Sequence, residues 1–136
     1  MRLFYASSDR ETKVFARSII AAAALSLVFA TPAAAADAAK GEKVFGKCKI
    51  CHEATTEKNK IGPYLKGIFG RKAGTVVGYS YSNAMKSSGI VWNEDKLKAY
   101  VANPKAVVPN TKMAFIGLKK QDEIEDLIAY LKQATK

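Results

Sequence analysis

The sequence predicts a small all-α domain, because helical patterns lie at both ends of the chain after residue 36 and a third lies between them. Residues 53–81 are instead rich in glycine, lysine and threonine, without a helical period. No convincing strand pattern lies on either side of Cys48. A segment of about 100 residues corresponds to one domain. We therefore expect short helices joined by long loops.

The two terminal helices have the clearest signals. Asp37 can cap a first helix, in which small and apolar residues recur at spacings of three and four: Ala38, Gly41, Val44, Phe45 and Cys48. The last helix begins with acidic residues, which the helix dipole favours in a first turn. Its apolar stripe follows the i, i+3, i+4, i+7 pattern over Ile124, Leu127, Ile128 and Leu131.

Two further helices are expected between the terminal ones. Asn93 can cap a helix that carries Leu97, Tyr100 and Val101 on one side. That helix should stop at Asn103-Pro104, because the residue before a proline avoids helical backbone. A shorter helix is expected over residues 82–87, before Gly89.

Residues 1–36 do not resemble part of a folded domain. Four basic residues precede an uncharged apolar run over residues 19–30, and a proline and a run of small residues follow. This order predicts a secretory signal peptide over residues 1–36 and a single domain over residues 37–136. An uncleaved membrane anchor is the alternative, since residues 18–36 carry no charge and a span needs roughly 20 residues.

The charge of the chain is strongly basic. It has 22 lysines and arginines against 12 acidic residues, a net charge of +10, and after residue 36 Arg71 is the only arginine. A basic exported protein could bind anionic lipid, nucleic acid or an acidic protein. Nucleic acid is not expected outside the cytoplasm, and arginine is the preferred base reader. We expect an acidic protein partner; the alternative is that the lysines only maintain solubility.

The segment Cys48-Lys49-Ile50-Cys51-His52 contains the only cysteines and the only histidine of the chain. This C-x-x-C-H spacing is the attachment pattern of a c-type haem, in which the thiols add to the porphyrin and the histidine binds the iron. Three interpretations compete: a thioredoxin-like redox pair, which needs a βαβ context, half of a four-ligand zinc site, and a disulfide beside a chance histidine. Export favours haem, because an unbonded pair would oxidise outside the cytoplasm.

A haem would also explain the long loop. Loops of this length are normally evidence against a compact fold, and a domain of this size has a marginal core of its own. A bound haem would supply the missing core, and the loop would wrap it.

The second axial ligand must come from a short inventory, since no other histidine or cysteine exists. Methionine, tyrosine, lysine or an open site remain. Met85 lies inside an expected helix, where core packing is typical, whereas Met113 lies in an irregular stretch between two helices. A thioether suits an electron carrier because it raises the potential, although methionine also fills gaps in cores. We expect Met113 to be the ligand, which leaves no room for oxygen or substrate.

The motif is followed by Gly62-Pro63-Tyr64-Leu65, Phe69-Gly70-Arg71-Lys72, Gly78-Tyr79-Ser80-Tyr81 and Pro109-Asn110-Thr111-Lys112-Met113. With these motifs in order and at matching spacing, residues 41–134 closely resemble class I cytochrome c. The resemblance is to the bacterial cytochrome c2 branch, near the mitochondrial protein. It implies a small cytochrome c fold, in which crossed terminal helices, short helices and long loops wrap one covalent haem c.

The resemblance implies haem-binding roles at Cys48, Cys51, His52, Met113, Pro63, Arg71, Tyr81, Trp92, Tyr100 and Phe115. The two cysteines would form thioethers, and the iron would be bound by His52 and Met113. The Pro63 carbonyl would accept from the imidazole, and Tyr100 would donate to the Met113 sulfur. A haem propionate would be held by Arg71, Tyr81 and Trp92, while Phe115 would cover the haem. Gly41 and Phe45 would pack against Leu127 and Tyr130.

The resemblance also implies a function and a docking face. The expected protein is a soluble, monomeric one-electron carrier of the periplasm, not an enzyme, between a quinol–cytochrome c reductase and an oxidase, reductase or reaction centre. Acidic faces of those partners would meet Lys47, Lys60, Lys105, Lys112, Lys119 and Lys120. A peroxidase-like or gas-binding haem protein with an open iron, and a membrane-anchored carrier, are the alternatives.

Two positions depart from the family pattern. Met85 stands where the family often has an asparagine in a buried polar network, so it would dry that network and place a second thioether near the iron. Ala106 replaces a lysine of the docking face, which suggests a changed choice of partner.

Overall fold

The structure, a computed structural model, describes residues 35–136, and the predicted signal peptide lies outside these residues except for its last two. The described part forms five helices: α1 (Ala38–Phe45), α2 (Asn83–Ser87), α3 (Glu94–Ala102), α4 (Pro104–Val107) and α5 (Gln121–Ala134). Its only β pairing is an isolated antiparallel bridge between Lys72 and Val91. The predicted all-α class is confirmed. Within residues 35–136, no helix has the length and apolar character of a membrane span.

The first helix begins where the sequence predicts and ends earlier. The Asp37 carboxylate accepts from the backbone N–H groups of Ala39 and Lys40, at 2.9 and 3.2 Å. The predicted stripe continued to Cys48, but α1 ends at Phe45. Beyond it the chain makes tighter turns, with the Cys48 N–H donating to the Phe45 carbonyl at 2.7 Å. These turns carry the C-x-x-C-H segment.

The shorter helices form where the sequence predicts them, with one addition. The Ser82 hydroxyl accepts from Met85 N–H at the start of α2, and the Asn93 amide oxygen accepts from Lys96 N–H at the start of α3. The sequence analysis missed α4, since it treated Asn103-Pro104 only as a stop. Asn103 ends α3 and also caps α4, whose first residue is Pro104, a position that suits proline because its missing N–H would be unpaired there.

The terminal helices cross at a contact between backbones. A Cβ atom at Gly41 would lie 1.9 Å from the Asp126 carbonyl oxygen, so glycine permits the close approach. The rings of Phe45 and Tyr130 pack at 5.2 Å between centroids, and Leu127 is fully buried. The predicted crossing of the two helices is confirmed.

No helix occurs between Gly46 and Ser82, and for residues 53–81 this confirms the loop that the glycine-rich composition predicted. Backbone hydrogen bonds instead fix this long segment to the helical part. The Gly67 N–H donates to the Thr135 carbonyl at 2.5 Å, and the Gly70 N–H donates to the Trp92 carbonyl at 2.7 Å. The segment is therefore fixed to the C-terminal end of α5 and to the backbone just before α3.

We expect Gly41→Ala to destabilise the protein. Alanine is favoured over glycine in a helix by about 1 kcal/mol, but overpacking a close contact costs typically 1–3 kcal/mol. Because the new atom would overlap backbone, which cannot turn aside, we expect a net loss of about 2 kcal/mol in the free energy of unfolding. Denaturant unfolding of the haem-loaded protein measures it.

The matched control is Ala39→Ser, on the exposed side of the same helix. It should change the free energy of unfolding by less than about 0.5 kcal/mol. A Gly41→Ala variant as stable as the unaltered protein would contradict the backbone contact described here.

Candidate haem site

A cavity of about 370 Å³ opens between the helices and the long segment. This volume lies within the range of cofactor and ligand sites, about 300–1,000 Å³. Most of its wall is apolar and comes from all parts of the fold, including Phe45, Ile50, Ile61, Leu65, Ile68, Leu97, Val101, Leu127 and Leu131. The helices alone therefore leave the core incomplete.

Every residue that the sequence predicted for the haem site lines this one cavity: Cys48, Cys51, His52, Pro63, Arg71, Tyr81, Trp92, Tyr100, Met113 and Phe115. They come from positions up to 67 residues apart. Their convergence brings two thiols, an imidazole and a thioether to the same apolar space.

The two thiols lie on the turns that follow α1, and both are free. Backbone bonds shape these turns, since the Cys51 and His52 N–H groups both donate to the Cys48 carbonyl, at 3.0 and 2.9 Å. Burial raises the pKa of the Cys48 thiol; the nearby Lys47 ammonium opposes this, and Cys51 adds to it. A raised pKa is the reverse of the lowered value that marks a thiol–disulfide redox site. Residues 35–136 contain no cluster of three or more His, Cys, Asp or Glu side chains arranged for a metal ion.

The His52 ring is held in one orientation. Its Nδ1 lies 2.7 Å from the Pro63 carbonyl oxygen, which can only accept, so Nδ1 carries the proton and the lone pair of Nε2 stays available. A Cβ at Gly62 would approach three ring atoms to between 2.5 and 2.9 Å, so only glycine fits beside the ring. Burial lowers the pKa of His52, and the charge of Lys60 lowers it further. The hydrogen bond to the Pro63 carbonyl raises it. A neutral imidazole with a bonded Nδ1–H is the form that binds metals.

A short chain of hydrogen bonds connects Tyr100 to the backbone of Met113. The Tyr100 hydroxyl lies 2.9 Å from the Thr111 hydroxyl oxygen, which also accepts from the Met113 N–H at 3.3 Å. The resemblance implied a bond from Tyr100 to the Met113 sulfur, whereas the observed partner is Thr111. Burial raises the pKa of Tyr100 and the Thr111 bond lowers it. Sequence reasoning did not single out Thr111, although it stands inside the quoted motif two residues before Met113.

Arg71 lies in the wall and fixes the long segment. Its two terminal nitrogens donate to the carbonyls of Lys66 and Tyr64, at 2.8 and 2.9 Å, and its guanidinium lies 5.2 Å from the centre of the Tyr64 ring. Burial lowers the pKa of Arg71, but a guanidinium remains charged at neutral pH. Since a guanidinium has five N–H donors, Arg71 keeps donors for a further acceptor in the cavity.

The other predicted aromatic residues form pairs around the cavity. The Trp92 and Tyr100 rings lie 5.1 Å apart, and the Tyr79 and Tyr81 rings meet edge to face at 4.7 Å. Burial is the main cause of the raised pKa of Tyr81. Met85 is also in the wall and is only 7 % exposed, so a second thioether faces the cavity as the resemblance implied.

The cavity fits a haem c by the chemistry of its donors. It offers two free thiols, a neutral imidazole with a free nitrogen, a thioether and a cation, in an apolar wall. In residues 35–136, no buried side-chain nitrogen or oxygen lacks a hydrogen-bond partner. The cavity wall therefore suits a large apolar group that makes few polar contacts.

Comparison with known proteins identifies the family. The family model described as Cytochrome c matches residues 38–135, which span the fold and the whole site. The chain belongs to the cytochrome c family. Because this family binds haem c covalently, the cytochrome carries one haem c through Cys48 and Cys51. The haem interpretation of the motif is thus confirmed over its three competitors.

The relatives place the chain near cytochromes c2. It is 52 % identical to cytochrome c2 of Blastochloris viridis over 103 residues, which cover 75 % of this chain and 81 % of the relative. It is 54 % identical to the cytochrome c of Gibberella zeae over 107 residues, covering 76 % and 99 %. The solved structure of cytochrome cH from Methylobacterium extorquens matches at 50 % identity with a TM-score of 0.67, over 71 % of this chain and 97 % of that one.

The predicted docking lysines differ in their surroundings. Lys47 and Lys112 line the haem cavity, while Lys105 and Lys119 line a second cavity. Lys60 donates to the Lys49 carbonyl. The remaining one, Lys120, shares Glu123 with Lys47: the ammonium nitrogens lie 3.9 and 2.7 Å from its carboxylate. One acidic residue therefore engages two of the six cations.

We expect Gly62→Ala to disturb haem binding through His52. The added methyl group would overlap the imidazole, so the ring must turn and lose its bond to the Pro63 carbonyl. The visible spectrum of the purified variant should show altered iron ligation or a lower haem content than the unaltered protein.

The control is Val77→Ala, at a position of the same long segment that is 87 % exposed and does not line the cavity. Its spectrum should be unchanged. If Gly62→Ala gave the same spectrum and haem content as Val77→Ala, the packing of Gly62 on the ring would not control ligation.

Proposed function

We propose that this cytochrome is a soluble one-electron carrier whose iron is bound by His52 and Met113 and is closed to substrates. The observation that carries the proposal is that the His52 imidazole and the Met113 thioether line one apolar cavity, although they are 61 residues apart in the chain. Haem c bound there supplies an iron that gains or loses one electron. The chain's electron-carrier function agrees with its membership among cytochromes c.

The residues around the iron ligands would act by holding them still. The Pro63 carbonyl fixes the imidazole tautomer and increases the basicity of Nε2. Thr111 and Tyr100 together fix the backbone of Met113. A methionine ligand raises the reduction potential, and a ligand set that does not rearrange allows fast transfer of an electron.

A haem propionate would be held by Arg71, Tyr81 and Trp92. Arg71 supports this role because its charge lies in the cavity wall and two backbone carbonyls position it. A charged donor in a partly buried place makes a strong hydrogen bond to a carboxylate. Phe115 would close the side of the cavity near Met113.

A closed iron distinguishes this proposal from an enzyme or a gas-binding haem protein, which need an open position. Carbon monoxide tests it, because it binds reduced iron wherever a position is free. The reduced protein should not bind carbon monoxide promptly, whereas Met113→Ala should bind it at once and have a lower potential. The visible spectrum shows whether carbon monoxide binds, and a redox titration followed by the same spectrum gives the potential.

The matched control is Met85→Leu, which removes the other thioether of the cavity and keeps its bulk. It should remain closed to carbon monoxide. Prompt binding by the unaltered protein would contradict the closed iron, and an unchanged spectrum in Met113→Ala would indicate Met85 as the ligand.

The partners would be membrane redox complexes with acidic docking faces, of the quinol–cytochrome c reductase kind on one side and an oxidase, reductase or reaction centre on the other. Six lysines would form the docking face: Lys47, Lys60, Lys105, Lys112, Lys119 and Lys120. Such a face accelerates encounter and loses its effect in salt. The carrier would act as a monomer.

Glu123 should reduce the positive charge that this face presents to a partner, because it pairs with Lys47 and Lys120. We expect Glu123→Gln to release Lys47 and Lys120 and to speed the reaction with an anionic partner about twofold at low ionic strength. Stopped-flow oxidation of the reduced protein by ferricyanide, an anionic one-electron oxidant, measures the rate.

The control is Glu57→Gln, which changes the net charge equally at an exposed residue that is 3.8 Å from Lys66 and lines neither cavity. It should raise the rate less. Equal rates for both variants would show that net charge alone, and not the release of two lysines, sets the encounter.

The carrier would work in the periplasm. Residues 1–36 would be its signal peptide and residues 37–136 the mature domain, although a retained anchor would give a tethered carrier of the same chemistry. Intact mass spectrometry of the exported, haem-loaded product decides between them. A mass that still includes residues 1–36 would contradict cleavage.

A further inference from the structure

The backbone nitrogen of Asp37 is bonded to the last helix. Its N–H donates to the Asp126 carboxylate, with 2.6 Å between the nitrogen and Oδ1, across 89 positions of the chain. The bond is partly buried and Asp37 is half-buried, whereas Ala35 and Ala36 before it are exposed. The peptide bond between Ala36 and Asp37 therefore marks the boundary between an exposed stretch and the folded domain.

The other polar groups of Asp37 are bonded to α1. Its carboxylate accepts from the N–H groups of Ala39 and Lys40, and its carbonyl accepts from the Gly41 N–H at 2.9 Å. Gly41 is also the residue at which a Cβ would overlap the Asp126 carbonyl. Asp126 therefore contacts the start of α1 at two points, with its side chain at Asp37 and with its backbone at Gly41.

The bond between Ala36 and Asp37 also fits the sequence rule for signal-peptide cleavage. Small residues occupy positions 33–36, so the A-x-A pattern permits a cut after Ala35 or after Ala36. Only a cut after Ala36 makes the Asp37 nitrogen the new chain terminus. The same pattern occurs once more before a cut after Ala38, but that cut would remove the residue that caps α1.

Cleavage at this bond changes the charge of the nitrogen. Hydrolysis consumes one water: the Ala36 carbonyl carbon leaves as a carboxylate with the signal peptide, and the Asp37 nitrogen becomes an α-amine. An α-amine is largely protonated at neutral pH. The N–H donor thus becomes an ammonium beside the Asp126 carboxylate, and a hydrogen bond between two charged groups is stronger than one with a neutral donor.

An ammonium at this position needs an opposite charge, because the N-terminus of a helix disfavours a cation. The carboxylate of Asp37 itself is engaged by the backbone of α1. The carboxylate that meets the ammonium is therefore that of Asp126, from α5. Because the amine belongs to the backbone and not to a long side chain, the pair loses less entropy on forming than an ordinary surface ion pair.

We propose that removal of the signal peptide after Ala36 creates an ion pair between the Asp37 α-ammonium and the Asp126 carboxylate, which fastens α1 to α5 only in the mature protein. This inference rests on the proposed export and goes beyond the carrier function. The crossing bears on the haem, since its cavity is lined by Phe45 of α1 and Leu127 of α5. The mature chain therefore surrounds its haem with a more stable domain than the uncleaved chain.

The test compares the exported, haem-loaded protein with a form that has one threonine inserted between Ala36 and Asp37. Threonine is larger than the small residues required before a cut, so cleavage stays after Ala36. The Asp37 nitrogen is then an uncharged amide that can still donate. Intact mass spectrometry should show that the mature chain begins at Asp37 and that the inserted form begins at the threonine.

Denaturant unfolding at low ionic strength then measures the ion pair. Asp126→Asn keeps the shape of the side chain and an acceptor oxygen but removes its charge. It should raise the equilibrium constant for unfolding about fivefold more in the protein that begins at Asp37 than in the inserted form, as expected for one well-held ion pair. The matched control is Asp122→Asn, at an exposed residue in the first turn of the same helix, which should affect both forms equally.

The amine provides a second measurement. NMR of protein labelled with ¹⁵N-aspartate follows its titration, and the amine should lose its proton at a higher pH in the unaltered protein than in Asp126→Asn, because the facing carboxylate favours the charged form. A mature chain that begins at another residue would overturn the proposal and leave export supported. Equal effects of Asp126→Asn in the two forms would overturn it as well, as would an amine that titrates alike with and without the Asp126 charge.

The iron separates this inference from the carrier function. Prompt binding of carbon monoxide by the reduced protein would contradict the carrier while the ion pair still stood. An ion pair that failed the unfolding test, in a protein that stays closed to carbon monoxide, would overturn this inference and leave the carrier function supported.

Discussion

The hydrogen bond between His52 Nδ1 and the Pro63 carbonyl is the interaction on which the site depends. It joins the turns after α1 to the long segment, and it leaves Nε2 as the ring nitrogen that could bind an iron. Gly62 supports it by leaving room for the ring, since a Cβ there would approach three ring atoms to between 2.5 and 2.9 Å. A substitution on either side of this bond would be enough to misplace the imidazole. The C-x-x-C-H motif therefore acts together with Gly62-Pro63, ten residues further along.

The fold around that bond is built to be completed by its cofactor. The crossing of α1 and α5 provides a rigid side, where Gly41 allows the two backbones to touch. The opposite side is a segment without helices, held by bonds from Gly67 and Gly70 and by the carbonyl contacts of Arg71. An apolar cavity remains between the two sides. Covalent attachment at Cys48 and Cys51 makes the cofactor a permanent part of this core, which a small domain needs because its own core is marginal.

Sequence reasoning predicted four of the five helices in residues 35–136 from local patterns of caps, charges and apolar spacing. It predicted the C-x-x-C-H haem motif in the same way, whereas most other residues of the site came from the resemblance to class I cytochrome c. Asp37 and Asn93 cap where expected, α2 lies within the predicted range, and all ten predicted residues reach one cavity. It missed what depends on partners distant in the chain. The role of Thr111 requires knowing that Tyr100 lies beside it. The early end of α1 reflects turn geometry that its apolar spacing does not encode, whereas α4 had a local signal, an asparagine cap before a first-position proline, that was interpreted only as a stop.

The central claim is that Met113, and not Met85, completes the iron's ligands opposite the imidazole. Both thioethers line the cavity, so their environments decide between them. The most direct measurement is NMR of the reduced, haem-loaded protein with ¹³C-labelled methionine methyl groups, since a methyl above the porphyrin is strongly shifted by its ring current. We predict one such resonance, retained in Met85→Leu and absent from Met113→Leu. A shifted methyl that disappears in Met85→Leu, or no shifted methyl at all, would contradict the account.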